Sequence, residues 1–374
     1  MTTATTTSPI RVLVIDDSAY NRQTITAILE QAPGIQVIAR AGDGEEGLRL
    51  AFQLQPDVIT LDLEMPKMDG FSFLRLLMAR QPTPVIVISG YATRENVFKA
   101  LELGALDFVA KPQRQVSSEL KNIKDELLHK IELVTKLRIV SLADRAAHTR
   151  QAGTLSGSFR VVVPPIAPPR SPKEGPAPPR LCAIGASTGG PPALSQILAS
   201  LDPALPLGLV ITQHMPARFT RAFAERLART TPFAVREAEP GDVVTTGTVL
   251  VAPGGASLEI RRVQAAGESQ LKAEIVAAEP GDRFVPSIDR MLDSVARAMG
   301  PDALAIILTG MGGDGGRGVK SIKAAGGRVL AEAPETAVIF GMPDEAIRTG
   351  VVDDVVPLGG MVDAIARFAT DRKS

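Results

Sequence analysis

Between residues 10 and 112, short apolar β-rich runs alternate with stretches whose apolar residues recur every three or four positions. IRVLVID, IQVIARA, DVITLDL, PVIVIS and DFVAKP have the length and composition of strands. GEEGLRLAFQL, FSFLRLLMAR and RENVFKALEL carry helical spacing, as do residues 21–31 through Ile25, Ile28 and Leu29. Five consecutive βα units predict an α/β domain, a parallel sheet covered by helices on both faces. Such a sheet gathers its chemistry at the carboxyl ends of its strands.

Those ends carry Asp16 and Asp17 after the first strand, Asp62 after the third, Ser89 after the fourth and Lys111 after the fifth. Three crowded carboxylates are costly unless a hard cation neutralises them, and few protein ligands with room for water suit Mg²⁺ better than a calcium cage. Lys111 adds a cation and Ser89 a hydroxyl, both fit to hold a phosphoryl group. Surface acids at loop starts would be the bland reading of one such residue. Five suitable types at strand ends point instead to a phosphoryl site.

At 374 residues the chain is too long for one ordinary domain. After Pro112, Leu120, Ile123, Leu127, Ile131, Val134 and Leu137 step along one helical face, with Ser117 or Ser118 to cap its start. His129 and His148 are expected to be structural or solvated. Residues 161–180, VVVPPIAPPRSPKEGPAPPR, hold eight prolines in 20 positions and read as a semi-rigid spacer. The expected division is a disordered terminus at 1–9, a first domain at 10–128, a helical then proline-rich linker at 129–180, and a second domain at 181–370.

The second domain opens with LCAIGASTGGPP, an apolar strand, a glycine-rich turn, and Pro191 in the first turn of a helix. Ser187 thus sits on a strand-to-helix corner that fits G-x-S-x-G, where a serine oxygen is lifted out of a sheet. The dinucleotide fingerprint is not met, because Ser187 occupies the place of its second glycine. PLGLVITQHM ends a strand at His214, and DALAIILTGMGGDGGRG ends one in a glycine-rich loop holding Asp314. VVTTGTVLVAPGG, GGRVLAE and VVDDVVPL read as further β segments, while RFTRAFAERLAR, DEAIRTG and GMVDAIARFA read as helices. A doubly wound α/β sheet follows, with Ser187, His214 and Asp314 beyond its strand ends. A serine hydroxyl needs a base to attack a carbonyl at neutral pH, and a carboxylate orients that base. His214 is the one histidine of this domain. For the carboxylate, Asp289 and Asp293 remain rivals of Asp314, while Asp282 looks like a turn acid. The glycines beside Asp314 offer main-chain N–H donors for an oxyanion. The order Ser, His, Asp differs from the Ser, Asp, His of α/β-hydrolases.

Asp16-Asp17, LDLEMPKMDG, ISG and AKP together make residues 10–112 resemble a response-regulator receiver domain. The resemblance implies that Asp62 accepts a phosphoryl group from a histidine kinase. It also implies that Asp16, Asp17, Asp62 and the main-chain carbonyl of Glu64 hold Mg²⁺, and that Ser89, Lys111 and Phe108 bind the phosphoryl group and carry the switch. IGASTGGPPAL, TQHMPARFTRAFAERL, EAEPGDVV, VAPGG, PSIDRML, LTGMGGDGGRG and GMPDEAI make the second domain resemble the catalytic domain of chemotaxis protein-glutamate methylesterases, the CheB family. That resemblance implies Ser187 as nucleophile, His214 as base and Asp314 as orienting carboxylate. It adds the Met311 N–H as oxyanion donor and Thr188 as a supporting residue. RFVPSIDRM departs from the family in lacking a basic residue directly before Pro-Ser.

Together the two resemblances imply a hydrolase that removes γ-methyl esters from chemoreceptor glutamates and deamidates receptor glutamines. Its activity would rise when phosphorylation of Asp62 weakens packing of the receiver over the triad. A signalling module without catalysis is the competing class, and a DNA-binding regulator a third. The 41 basic and 41 acidic residues cancel, and nothing after Arg180 supplies a basic recognition helix or a charged field for nucleic acid or membrane. Cys182 is the single cysteine, read as a core residue. No apolar run approaches 18 residues, and the first ten lack the features of a signal peptide. These features lead to the expectation of a cytoplasmic protein.

Overall fold

The computed structural model describes residues 8–90, 94–111, 117–134, 177–265 and 268–371. Two compact units divide at residues 156 and 157. In the first, β1 (Ile10–Ile15), β2 (Ile35–Ala41), β3 (Val58–Leu61), β4 (Val85–Ser89) and β5 (Asp107–Ala110) form a parallel sheet in the order β2-β1-β3-β4-β5. The helices α1 (Ala19–Glu30), α2 (Gly44–Leu54), α3 (Gly70–Arg80), α4 (Arg94–Glu102) and α5 (Ser117–Val134) make the connections and close the domain. Three start where a short polar side chain accepts a first-turn N–H: Ser18, Asp43 and Asp69. Strands β1 and β3 bury nearly every side chain, as strands covered on both faces must.

The domain boundary expected at residue 128 falls inside α5. Leu127 and Ile131 both pack into the first unit's core with Val12, Val14, Ile86 and Val109, so that domain continues past 128. A helix that covers a sheet face is tied to that face by its buried stripe, whatever the composition beyond it. His129 is exposed. Residues 1–7 of the terminus expected at 1–9, His148 and the proline-rich run before residue 177 lie outside the described residues, as do the side chains of Ser117, Ser118, Leu120, Ile123 and Val134.

In the second unit seven parallel strands run in the order β15-β14-β13-β6-β7-β10-β8. They are β6 (Arg180–Ala186), β7 (Leu207–Gln213), β8 (Ala234–Glu237), β10 (Thr248–Val251), β13 (Ala303–Ile307), β14 (Arg328–Glu332) and β15 (Asp354–Val356). The α-helices described around them are α6 (Gly190–Ser200), α7 (Ala217–Thr230), α8 (Ile288–Met299), α9 (Gly316–Ala324), α10 (Gly341–Arg348) and α11 (Met361–Thr370). Strand β6 lies between β7 and β13, so the chain winds outward from it in both directions. That reversal opens a crevice at the carboxyl ends of three adjacent strands. Cys182 is wholly buried in β6 and its thiol is pushed up by burial, as a core residue should be.

Strand β8, helix α9 and an antiparallel hairpin have no counterpart in the sequence reading. Strands β11 (Ala256–Ala265) and β12 (Glu268–Ala277) form a long antiparallel hairpin, extended by β9 (Val243–Val244) into a three-stranded sheet. Leu258, Ile260, Leu271 and Ala273 bury one face of it in the core beside Met291 and Val295 of α8. No helix among the described residues is long and apolar enough to cross a membrane.

Candidate functional site

Ser187 follows β6, His214 follows β7, and the loop after β13 carries Asp314, so register brings all three together. Ala186 pairs with Gln213, and the next main-chain contact is His214 N–H donating to Ala186 O at 3.0 Å. Gln213, itself 2% exposed, donates its side-chain amide to Ser187 O at 2.9 Å and to His214 O at 3.1 Å. One side chain thereby fixes the backbone of both. On the other flank Ser187 N–H donates to Thr309 O at 3.0 Å. Thr309 is held in turn: its N–H reaches the buried Glu332 carboxylate at 2.8 Å, and its hydroxyl donates to Thr188 O at 2.9 Å. Thr188 thus stands in the network behind the serine. Gly310 lies so close that a β-carbon there would come 2.7 Å from Ser187 Cβ. Only glycine lets the TGMGG loop pass that near.

His214 Nε2 and Asp314 Oδ2 are 2.8 Å apart. Asp314 receives further donors from Ile288 N–H at 2.8 Å, Asp289 N–H at 2.9 Å and Ser287 Oγ at 3.2 Å, so its carboxylate caps the amino end of α8. Burial pushes this carboxyl upward, but His214 and the helix N–H groups outweigh it and hold it below the ordinary range. With Nε2 committed to Asp314, Nδ1 is the ring nitrogen left to accept a proton. Among the described residues neither Nδ1 nor Ser187 Oγ has a hydrogen-bond partner. Catalytic contacts often close only when substrate arrives. The Met311 N–H likewise has no acceptor among them, as an oxyanion donor requires.

Asp289, the rival carboxylate, has another partner set. Its Oδ1 accepts from Gly315 N–H at 2.9 Å and Gly318 N–H at 2.7 Å, which caps α9. Burial raises its pKa, and the neighbouring Asp314 charge adds to that. Asp293 accepts from Ser321 Oγ, and Asp282 pairs with Arg290. The histidine partner is Asp314.

In the first unit Asp16, Asp17 and Asp62 offer carboxylate oxygens within 4.8 Å of one another. Lys111 Nζ lies 2.5 Å from Asp62 and 3.0 Å from Asp16. Burial raises the Asp62 pKa against the pull of Lys111, while the two carboxylates raise Lys111 against burial. Asp16 Oδ2 is buried, and its one close partner among the described residues is the Lys111 ammonium. Three carboxylates whose oxygens converge within 4.8 Å are an all-oxygen donor set that fits Mg²⁺. Glu64 donates its N–H to Asp62 Oδ1 at 3.4 Å, which places its peptide beside the cluster. Phe108 is buried, with Lys130 Nζ 5.2 Å from its ring centroid and 2.5 Å from its carbonyl oxygen. The ring already points inward. Ser89 ends β4, and its side chain lies outside the described residues.

The CheB methylesterase family matches residues 182–365, and the response regulator receiver domain family matches residues 12–122. Protein-glutamate methylesterase/protein-glutamine glutaminase 3 of Geobacter sulfurreducens is 50% identical over 357 residues, 94% of this chain and 95% of that protein. The chain belongs to this methylesterase/glutaminase family. A second relative, the like-named enzyme 6 of Anaeromyxobacter dehalogenans, is 47% identical over 98% of this chain and 97% of its own. A crystal structure of the Thermotoga maritima CheB methylesterase catalytic domain is 36% identical, covering 50% of this chain and 97% of that one, with a TM-score of 0.48.

Sequence reasoning missed Gln213, Ser287, Thr309, Glu332 and Phe284. A glutamine directly before His214 and a glutamate closing β14 are polar groups at strand ends, the same signal that singled out Asp62. Phe284 stacks on His214 with ring centroids 5.0 Å apart and 3° between planes. No period or spacing announces a contact across 70 residues of chain.

Proposed function

We propose that the chain hydrolyses glutamate γ-methyl esters, and glutamine side-chain amides, on the cytoplasmic helices of chemoreceptors, under control of phosphorylation at Asp62. The reading serves adaptation in chemotaxis or a related chemosensory pathway. The observation that carries it is the 2.8 Å His214–Asp314 pair beside the Ser187 corner.

Ser187 Oγ attacks the γ-carbonyl carbon as its proton passes to His214 Nδ1. Asp314 keeps the ring's Nε2–H in place and balances the imidazolium. Charge on the former carbonyl oxygen falls to the Met311 N–H, a donor type worth about 2.7–4 kcal/mol. Thr188 and Thr309 hold the backbone on which the nucleophile sits. The imidazolium returns its proton to the departing methoxide, releasing methanol, or to the amide nitrogen, releasing ammonia. Water then cleaves the acyl-serine by the same base, so one triad serves both substrates.

In the receiver domain Asp62 accepts the phosphoryl group from a kinase phosphohistidine, with Ser89 and Lys111 binding its oxygens and Phe108 following the change. Asp16, Asp17, Asp62 and the Glu64 carbonyl would hold Mg²⁺, which neutralises charge during transfer. The proteins implied around it, a chemotaxis histidine kinase and receptor cytoplasmic helices, place the work in the cytoplasm.

The test is methanol release from a methylated receptor cytoplasmic fragment, with and without a small phosphodonor and Mg²⁺. Release that increases with phosphodonor is the expected result. No release, with Asp62 shown to be phosphorylated, would replace the enzyme by a binding module.

A further inference from the structure

The parallel stack of Phe284 on His214 joins a segment outside the triad to the ring that must move protons. Phe284 lies in the RFVPSID stretch, directly before the cis Val285–Pro286 pair and three residues before Ser287, which hydrogen-bonds Asp314. Its ring centroid is 5.0 Å from that of His214, and the planes differ by 3°. The His214 side chain is 14% exposed. A hydrogen bond along one ring edge, from Nε2 to Asp314, fixes the position of that edge. It leaves the ring free to rock about the Nε2–Oδ2 direction. A flat neighbour against the face removes that freedom, because tilting an imidazole away from a parallel ring loses contact across the whole face.

Space for the ring is built from the other side. Gly312, at φ +101°, passes beneath Phe284 so closely that a β-carbon there would come 3.0 Å from Phe284 Cζ. Arg283 sits 5.9 Å from the Phe284 ring centroid. Phe284 also walls a polar cleft of about 510 Å³, with Ser287, Gly313, Asp314 and Arg283 among its lining.

We infer that Phe284 is a positioning residue for the hydrolysis: its ring holds the His214 plane so that Nδ1 faces Ser187. The inference rests on the esterase reading above. It requires a flat ring at 284, not merely an apolar side chain.

The full chain is compared as wild type, Phe284→Leu and Phe284→Tyr, with Phe284→Met as a second apolar, non-planar replacement should Leu fail to fold. Three quantities are read: the rate at which a fluorophosphonate labels Ser187, kcat and KM for methanol release, and the His214 Nε2–H resonance. Phe284→Leu is expected to slow labelling and kcat about tenfold with KM within about twofold, from loss of an aromatic pairing. Its Nε2–H resonance should broaden, while Phe284→Tyr should keep all three quantities near wild type. Wild-type labelling and resonance in Phe284→Leu would overturn the inference. So would Phe284→Tyr as slow as Phe284→Leu, or a change confined to KM, which would place the ring against substrate. Labelling and resonance need no receptor, so a wild-type chain inert toward methyl esters sinks the substrate reading while these two still judge Phe284.

Discussion

The triad is held by groups that reach across the chain as well as along it. Gln213 ties the Ser187 and His214 backbones, and Asp314 draws three donors from the start of α8. Ser187→Ala should abolish methanol release, a loss on the order of 10⁴-fold or more, without moving the thermal midpoint. Asp314→Asn should lower kcat by about 10³–10⁴-fold, because an amide offers its own N–H toward Nε2 and disfavours the working tautomer. Its effect on stability has a definite sign with pH. Asp314 titrates below its ordinary value of 3.8, so its ionised form favours the folded state. That contribution is fully present above the ordinary carboxylate range and is lost as pH falls through the folded value. Denaturant midpoints should show Asp314→Asn less stable than wild type at neutral pH, with the gap closing as pH falls below the ordinary carboxylate range. A gap that widens in acid would contradict the geometry.

Helices α8 and α9 exchange caps. Asp289, in the first turn of α8, accepts N–H groups from the start of α9, while Asp314, just before α9, accepts them from the start of α8. Two buried helix starts are satisfied and the Asp314 loop is clamped between them. Asp289→Ala should cost about 1 kcal/mol, seen as a fall of about 2–4 °C in the thermal midpoint. Catalysis should fall with it, since the loop that carries Asp314 and the Met311 N–H loses an anchor. The sequence left Asp289 open as a triad carboxylate because one dimension cannot say which of two acids faces His214. It also missed the β11–β12 hairpin, although SLEIRRV and LKAEIVA are both rich in alternating apolar residues. Their alternation is blunted by charged residues at half-buried positions, where long side chains keep their heads in water.

Over the whole chain, two sheets place two chemistries at their strand ends. Replacing Asp62 by Ala in the full chain should leave basal methanol release intact and remove its rise with phosphodonor; a full rise in that variant would discard phosphorylation control at Asp62. The parallel α/β architecture, the acidic cluster and the serine corner were legible in the sequence, since β-rich runs broken by helical spacing admit one broad architecture. In that architecture strand ends are known in advance to converge, so Asp16, Asp62, Lys111, Ser187 and His214 declared themselves by position. Tertiary structure alone decided the rest: Asp314 over Asp289, the extent of α5 as a core helix, and Phe284 on the imidazole face. Those are choices among groups tens of residues apart in the chain, made by packing and by which buried N–H finds which oxygen. Local periodicity carries no record of either.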